Sequence, residues 1–404
     1  MNPRVTSPVP VAGRVTRISY AIRHVVEEAR KVEAAGGRVR YLNIGDPVAF
    51  GFETPPHMIE AVERAMRDGV NGYVASAGIE PARAAVAAEH TRRGQPIRPD
   101  RVFITAGTSE AIDLTLTALL DRGDEALVPV PTYPLYTAVL AKIDAVGKGY
   151  RTDPDRGWLP DLDHLRRQIG PRTRVLVVID PNNPTGAVYP DEVRRELLAI
   201  ADQHGLTVVA DEVYADVAYD GPLAPIGSLD PEAPVLSFSS LSKAYLAPGW
   251  RTGWIAVGSS DRLNDVATAI NRLAEGRLCS TAPMQCGLVA ALTGDRSHQD
   301  RFRSALVERA RLTTERLNAM AGMSCVLPKA AFYAMPRLAL PPGKTDVDYV
   351  LGLLRATGIL CVYGSGFNMP PEAGAFRVVF LASPADLADI YDSMAAFTRS
   401  FLAT

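Results

Sequence analysis

Six short stretches of this chain are apolar almost from end to end: Val102–Ala106, Glu125–Val130, Val175–Asp180, Leu206–Asp211, Val235–Ser240 and Gly253–Val257. A strand with one wet face alternates apolar and polar residues. These stretches do not, so both of their faces must be buried. Between them lie segments with helical periodicity, such as Glu110–Leu120, Asp191–His204 and Arg262–Leu273. Strands buried on both faces and separated by helices specify an α/β protein, with a mostly parallel central sheet sandwiched by helices. A sheet of that kind binds its ligands at the carboxyl ends of the strands. The residues that follow the six runs are therefore where chemistry is expected.

The flanks read differently. Arg17–Ala35 has the pattern of an amphipathic helix that stops at Gly36-Gly37. A long helix is expected over His298–Met320, followed by short strands near Ser324–Leu327, Phe332–Met335 and Arg377–Phe380. This predicts a large domain over residues 61–297. It also predicts a smaller α+β domain built from both ends, residues 1–60 (which include an N-terminal arm) and 298–404.

Charge and hydropathy narrow the function. With 43 basic and 45 acidic residues the net charge is -2, which gives no electrostatic reason to expect nucleic acid. There is no apolar run of about 18 residues, so no membrane span is expected, and Met1–Gly13 lacks the compact apolar segment of a signal peptide. The four cysteines, Cys279, Cys286, Cys325 and Cys361, form no C-x-x-C and have no histidine at metal-ligand spacing. Reduced thiols, no metal and a cytoplasmic location are the expectation.

Four of the strand ends carry reactive groups. Val175–Asp180 runs into Pro181-Asn182-Asn183-Pro184-Thr185-Gly186. Leu206–Ala210 runs into Asp211 and, three residues on, Tyr214. Val235–Ser240 runs into Leu241-Ser242-Lys243. Val102–Ala106 runs into Gly107-Thr108-Ser109 at a helix start. Taken singly, these are a turn, a surface carboxylate, a solvated lysine and a helix N-cap. Taken together, they place an amide, a carboxylate with a phenol, a primary amine and a Gly-hydroxyl turn at successive strand ends. A dinucleotide site is a poorer reading, since Gly364-Ser365-Gly366 lacks the third glycine and no Gly-Lys-Ser/Thr run exists.

At these residues the chain resembles a family. Leu42-Asn43-Ile44-Gly45-Asp46-Pro47, Tyr73 to Gly78, Pro131-Thr132-Tyr133-Pro134, Asn183-Pro184-Thr185-Gly186, Asp211-Glu212-Val213-Tyr214, Ser240-Leu241-Ser242-Lys243 with Gly249-Trp250-Arg251, and Arg377 together look like a class I, fold-type I aminotransferase. The resemblance runs from about Ile18 to Phe401 and implies a pyridoxal 5′-phosphate (PLP) enzyme. It makes Lys243 the Schiff-base lysine and proton shuttle, and Asp211 the partner of the pyridine nitrogen. Tyr214 and Asn183 would bond the cofactor's phenolic oxygen, and Tyr133 would stack on its ring. Gly107, Thr108 and Ser109, at a helix start that favours anions, would hold the phosphate with Ser240 and Arg251. Tyr73 would reach the phosphate of a partner subunit, which implies a homodimer with shared sites. Arg377 would clamp the substrate α-carboxylate, Asn183 would contact it too, and Gly45 lies in the segment that closes over it.

Within the family the likeness is to the alanine (glutamate–pyruvate) aminotransferases of bacteria and archaea. It rests on Tyr20-Ala21-Ile22-Arg23, Asn43 to Phe52, Arg277-Leu278-Cys279 and Gly364 to Asn368. Such an enzyme must accept both a methyl and a carboxylate side chain. Arg23, moving in for the dicarboxylate and out for alanine, is the candidate for that task, with an ordinary helix-surface arginine as the alternative. Tyr20 would line the same pocket or belong to the core. The expected reaction converts L-alanine and 2-oxoglutarate to pyruvate and L-glutamate by a ping-pong route. An aromatic or broad-specificity aminotransferase, a C–S lyase and a PLP-dependent oxidase would share the same machinery.

Overall fold

The computed structural model describes residues 8–18 and 21–403, the side chains of residues 21–23 excepted. Its centre is an eight-stranded sheet: β1 (Val102–Thr105), β2 (Glu125–Val130), β3 (Val146–Asp153), β4 (Leu159–Pro160), β5 (Thr173–Ile179), β6 (Thr207–Asp211), β7 (Val235–Ser240) and β8 (Gly253–Val257). The spatial order is β1-β8-β7-β6-β5-β2-β3-β4. The pairs β7–β6, β6–β5, β5–β2 and β2–β3 are parallel, whereas β1–β8, β8–β7 and β3–β4 are antiparallel. Two antiparallel steps separate β1 from β7 and restore its direction. The carboxyl ends of β1, β5, β6 and β7 therefore share one edge of the sheet.

All six apolar runs form strands of this sheet, and the core packs on both of its faces. The helices Thr108–Leu119, Asp191–Gln203 and Asn264–Gly276 match the periodic segments between them. Two strands were not read from sequence, β3 and the short β4. β3 (Val-Gly-Lys-Gly-Tyr-Arg-Thr-Asp) lies toward the sheet's margin and is part exposed, so it lacks the solid apolar run of its neighbours.

Around the ends of the chain, smaller sheets form. Arg40–Tyr41 pairs in parallel with Ile359–Leu360. Met323–Ser324 pairs with Arg337–Leu338. Tyr333–Ala334 and Val362–Tyr363 flank Phe376–Val379. The expected N-terminal helix begins later than its periodicity suggests, at Ala21 rather than Arg17. Ile18 is extended, and Arg17 is drawn into an ion pair with Asp144 beside the large sheet. The long helix spans Ser297–Asn318. Among the described residues no helix is long and apolar enough to cross a membrane.

Candidate active site

The shared edge of the sheet opens into a cavity of about 230 Å³. Asp211, the last residue of β6, lies at its base and is 3% exposed. Its carboxylate accepts hydrogen bonds from the Tyr136 hydroxyl (3.2 Å) and, weakly, from the Val213 amide (3.4 Å). No arginine or lysine among the described residues pairs with it. Burial without a cation pushes its pKa up to about 6.

Lys243 follows β7 by three residues, and its Nζ donates to the Gly45 carbonyl at 2.7 Å. Arg377, on Phe376–Val379, reaches the same segment, with Nη2 donating to the Asn43 carbonyl at 2.6 Å. Its Nη1 donates to Asn183 Oδ1 at 3.1 Å. The guanidinium is held between the rings of Tyr333 and Phe367, at 4.6 and 4.8 Å from their centroids. It is 2% exposed, its Nε has no partner, and no acid among the described residues faces it. Burial lowers its pKa for want of that acid. A fixed, dry guanidinium fork is suited to a carboxylate that arrives from outside.

The opposite wall is built for an anion. Thr108 and Ser109 open the helix Thr108–Leu119, and the Thr108 hydroxyl is buried without a partner. Arg251 lies beside them. Its guanidinium donates to the carbonyls of Pro248 (2.9 Å) and Ala106 (3.3 Å) and lies 3.4 Å from the Ser242 hydroxyl. Gly107 is not among the residues that line the cavity, and its amide donates to the Thr105 carbonyl at 2.8 Å. The residue also supplies space: its φ is +78°, and a Cβ there would overlap the Arg251 guanidinium.

The cavity brings together Gly45, Thr108, Ser109, Tyr133, Asn183, Asp211, Tyr214, Ser240, Lys243, Arg251 and Arg377. Tyr73 is not among them; it is 85% exposed, on the surface. Tyr20 and the Arg23 side chain fall outside the described residues. The sequence assigned no role to Asn43, Ser242 or Tyr333, which also line the cavity, or to Tyr136 behind Asp211. Tyr333 lies in a strand that was expected, but no strand-end rule singles it out.

Among the described residues, a lysine amine, a buried carboxylate lacking a cation, an anion cradle and a buried arginine lacking an acid have the layout of a fold-type I aminotransferase. The sequence matches the family described as aminotransferase class I and II over residues 39–392, and the chain belongs to it. It is 38% identical to the alanine aminotransferase of Mycobacterium tuberculosis, over 96% of this chain and 92% of that one. It is 36% identical to the glutamate-pyruvate aminotransferase AlaA of Escherichia coli, over 97% of this chain and 98% of that one. The alanine aminotransferase from Pyrococcus furiosus superposes with a TM-score of 0.94 at 39% identity, covering 97% of this chain and all of the other.

The chain is thus an aminotransferase, and the enzymes of this family depend on PLP. The residues fit that group. The unpartnered Thr108 hydroxyl and Arg251 suit its phosphate, Asp211 suits a protonated ring nitrogen, and Lys243 supplies the only lysine amine at the cavity among the described residues.

Proposed function

We propose that the chain transfers the amino group of L-alanine to 2-oxoglutarate, giving pyruvate and L-glutamate, in two half-reactions that share this one site. The cofactor supplies an electron sink for the bond broken at the substrate Cα. Lys243 would hold the cofactor through its amine, and that amine, when free, would take the proton from the substrate Cα as general base. Asp211 would keep the ring nitrogen protonated by offering a buried anion to it. Tyr133 would cover the ring, while Tyr214 and Asn183 would bond the phenolic oxygen. Thr108, Ser109, Ser240 and Arg251 would hold the phosphate.

The observation that carries the reading is Arg377, a buried guanidinium without an acidic partner among the described residues, tied through Asn43 and Gly45 to the segment that also holds the Lys243 amine. It fixes the α-carboxylate, with Asn183 beside it, and so aims the Cα–H bond. The names of the relatives in Mycobacterium tuberculosis, Escherichia coli and Pyrococcus furiosus favour alanine as donor. Arg23 is the candidate in this reading for admitting the dicarboxylate as well as alanine, with Tyr20 near it in sequence. The enzyme works as a cytoplasmic homodimer, and Tyr73 reaches the neighbouring subunit's phosphate. Its 85% exposure and its place outside its own cavity agree with that.

A coupled assay across amino donors, with single amino acids added to cofactor-loaded protein, tests the proposal. Alanine and glutamate should convert the cofactor to its amine form. The alanine assignment fails if aromatic, branched or acidic donors exceed alanine by orders of magnitude in kcat/KM. Ammonia release without an acceptor, or oxygen uptake, would indicate a lyase or an oxidase instead.

A further inference from the structure

Tyr333 sits on the short strand Tyr333–Ala334, paired with the strand that bears Arg377. It is 3% exposed and touches three parts of the site. Its hydroxyl lies 2.9 Å from the Tyr214 hydroxyl. Its ring covers one face of the Arg377 guanidinium. The same hydroxyl occupies the space that a side chain at Gly45 would need, and the Gly45 carbonyl accepts from Lys243. The approach is held by an unfavourable backbone. Ala331, buried and not a glycine, has φ +58°, a conformation kept only where the surroundings enforce it. The Tyr219 hydroxyl anchors its carbonyl at 2.9 Å. A phenylalanine would fill the same space without burying a hydroxyl, so the hydroxyl itself calls for a role.

Tyr214 carries one hydroxyl proton. If that proton points to the cofactor's phenolic oxygen, only its lone pairs remain for Tyr333, and Tyr333 must be the donor of the pair. A hydroxyl that receives a hydrogen bond is polarised into a better donor. We infer that Tyr333 is a positioning residue. It donates to Tyr214, thereby aiming and strengthening the Tyr214 hydrogen bond, while its ring braces Arg377. One phenol links the cofactor's phenolic oxygen to the carboxylate clamp. The inference rests on the proposed role of Tyr214.

The test is a pH titration of the visible absorption of the cofactor-loaded enzyme, made for the wild type, Tyr333→Phe, Tyr214→Phe and the double variant. A weaker donor stabilises the ionised phenolic oxygen less, so the midpoint rises. Tyr333→Phe should raise it by about 0.2–0.6 pH units and Tyr214→Phe by more. The double variant should match Tyr214→Phe alone, because Tyr333 acts through it. Tyr333→Phe keeps the ring on Arg377, so kcat should fall about two- to fivefold with KM for the amino donor unchanged. Tyr333→Leu, which removes the ring, should raise KM as well. If Tyr214→Phe shifts the midpoint and Tyr333→Phe does not, the inference is overturned while the reading of Tyr214 stands. Additive shifts in the double variant overturn it too. If Tyr214→Phe leaves the midpoint unmoved, the reading of Tyr214 and the inference fall together.

Discussion

Asp211 is expected to destabilise the cofactor-free protein. Burial raises its pKa from 3.8 to about 6, and no cation among the described residues offsets the cost. At about 1.4 kcal/mol per pKa unit, that rise corresponds to a penalty of about 3 kcal/mol once the group is ionised. The sign follows from proton binding. Between pH 4 and 6 the folded protein holds this proton more tightly than the unfolded chain does, so its stability falls as pH rises through that window. Above it the penalty is constant. Asp211→Asn removes the titration. The asparagine oxygen can still accept from Tyr136, and the weak bond from Val213 is the one at risk, a loss that does not vary with pH. Chemical denaturation of both proteins, freed of cofactor, at pH 4.5 and pH 8 isolates the effect. Relative to wild type, Asp211→Asn should be more stable at pH 8 than at pH 4.5, by about 2 kcal/mol. With PLP bound the ranking should reverse, because the cation that Asp211 awaits has arrived. A difference between the two proteins that does not change with pH would refute the reasoning.

Arg377→Lys keeps the charge but loses the fork, and should lower kcat/KM for amino donors by about 100-fold or more while leaving cofactor absorption intact; steady-state kinetics beside a spectrum of the loaded protein checks both. Gly107→Ala should displace Arg251 and weaken cofactor retention about tenfold or more in an equilibrium titration, since the new methyl overlaps the guanidinium. Borohydride treatment of the loaded enzyme should fix the cofactor mass to the peptide containing Lys243, and Lys243→Ala should abolish that label; a label on another lysine would overturn the assignment.

Much of the large sheet was legible because burial on both faces leaves an unbroken apolar run, which survives any uncertainty about neighbours. Glu125–Val130, Val235–Ser240 and Gly253–Val257 come out with the bounds read from sequence. β3 was missed for the complementary reason. A strand near the sheet's margin needs less apolar surface, and its glycines and lysine read as loop. The N-terminal helix was read too long because amphipathic periodicity continues through Arg17. Arg17 lies instead in the short turn Val15–Arg17, where it pairs with Asp144.

The site was legible for a geometric reason. Parallel strands deliver their carboxyl ends to one edge, so residues as distant in sequence as Thr108, Asn183, Asp211 and Lys243 become neighbours by rule rather than by motif. The rule is silent on groups that arrive from elsewhere, such as Tyr136 from a helix and Tyr333 from the smaller sheets. It is also silent on the property that matters most. Asp211 and Arg377 are both charged, both buried, and both without a counter-ion among the described residues. Sequence shows the charges but not the absence of partners, because pairing is decided only when the chain folds. Folding alone gains nothing by leaving two opposite charges apart in a dry cavity. Under the proposed function a ligand supplies what each lacks, a cation for one and a carboxylate for the other. The cost of their isolation therefore tunes the site: it rewards a molecule with an acid group at one end and a protonated ring at the other side of the reacting carbon, and it couples the stability of the enzyme to the occupancy of its site.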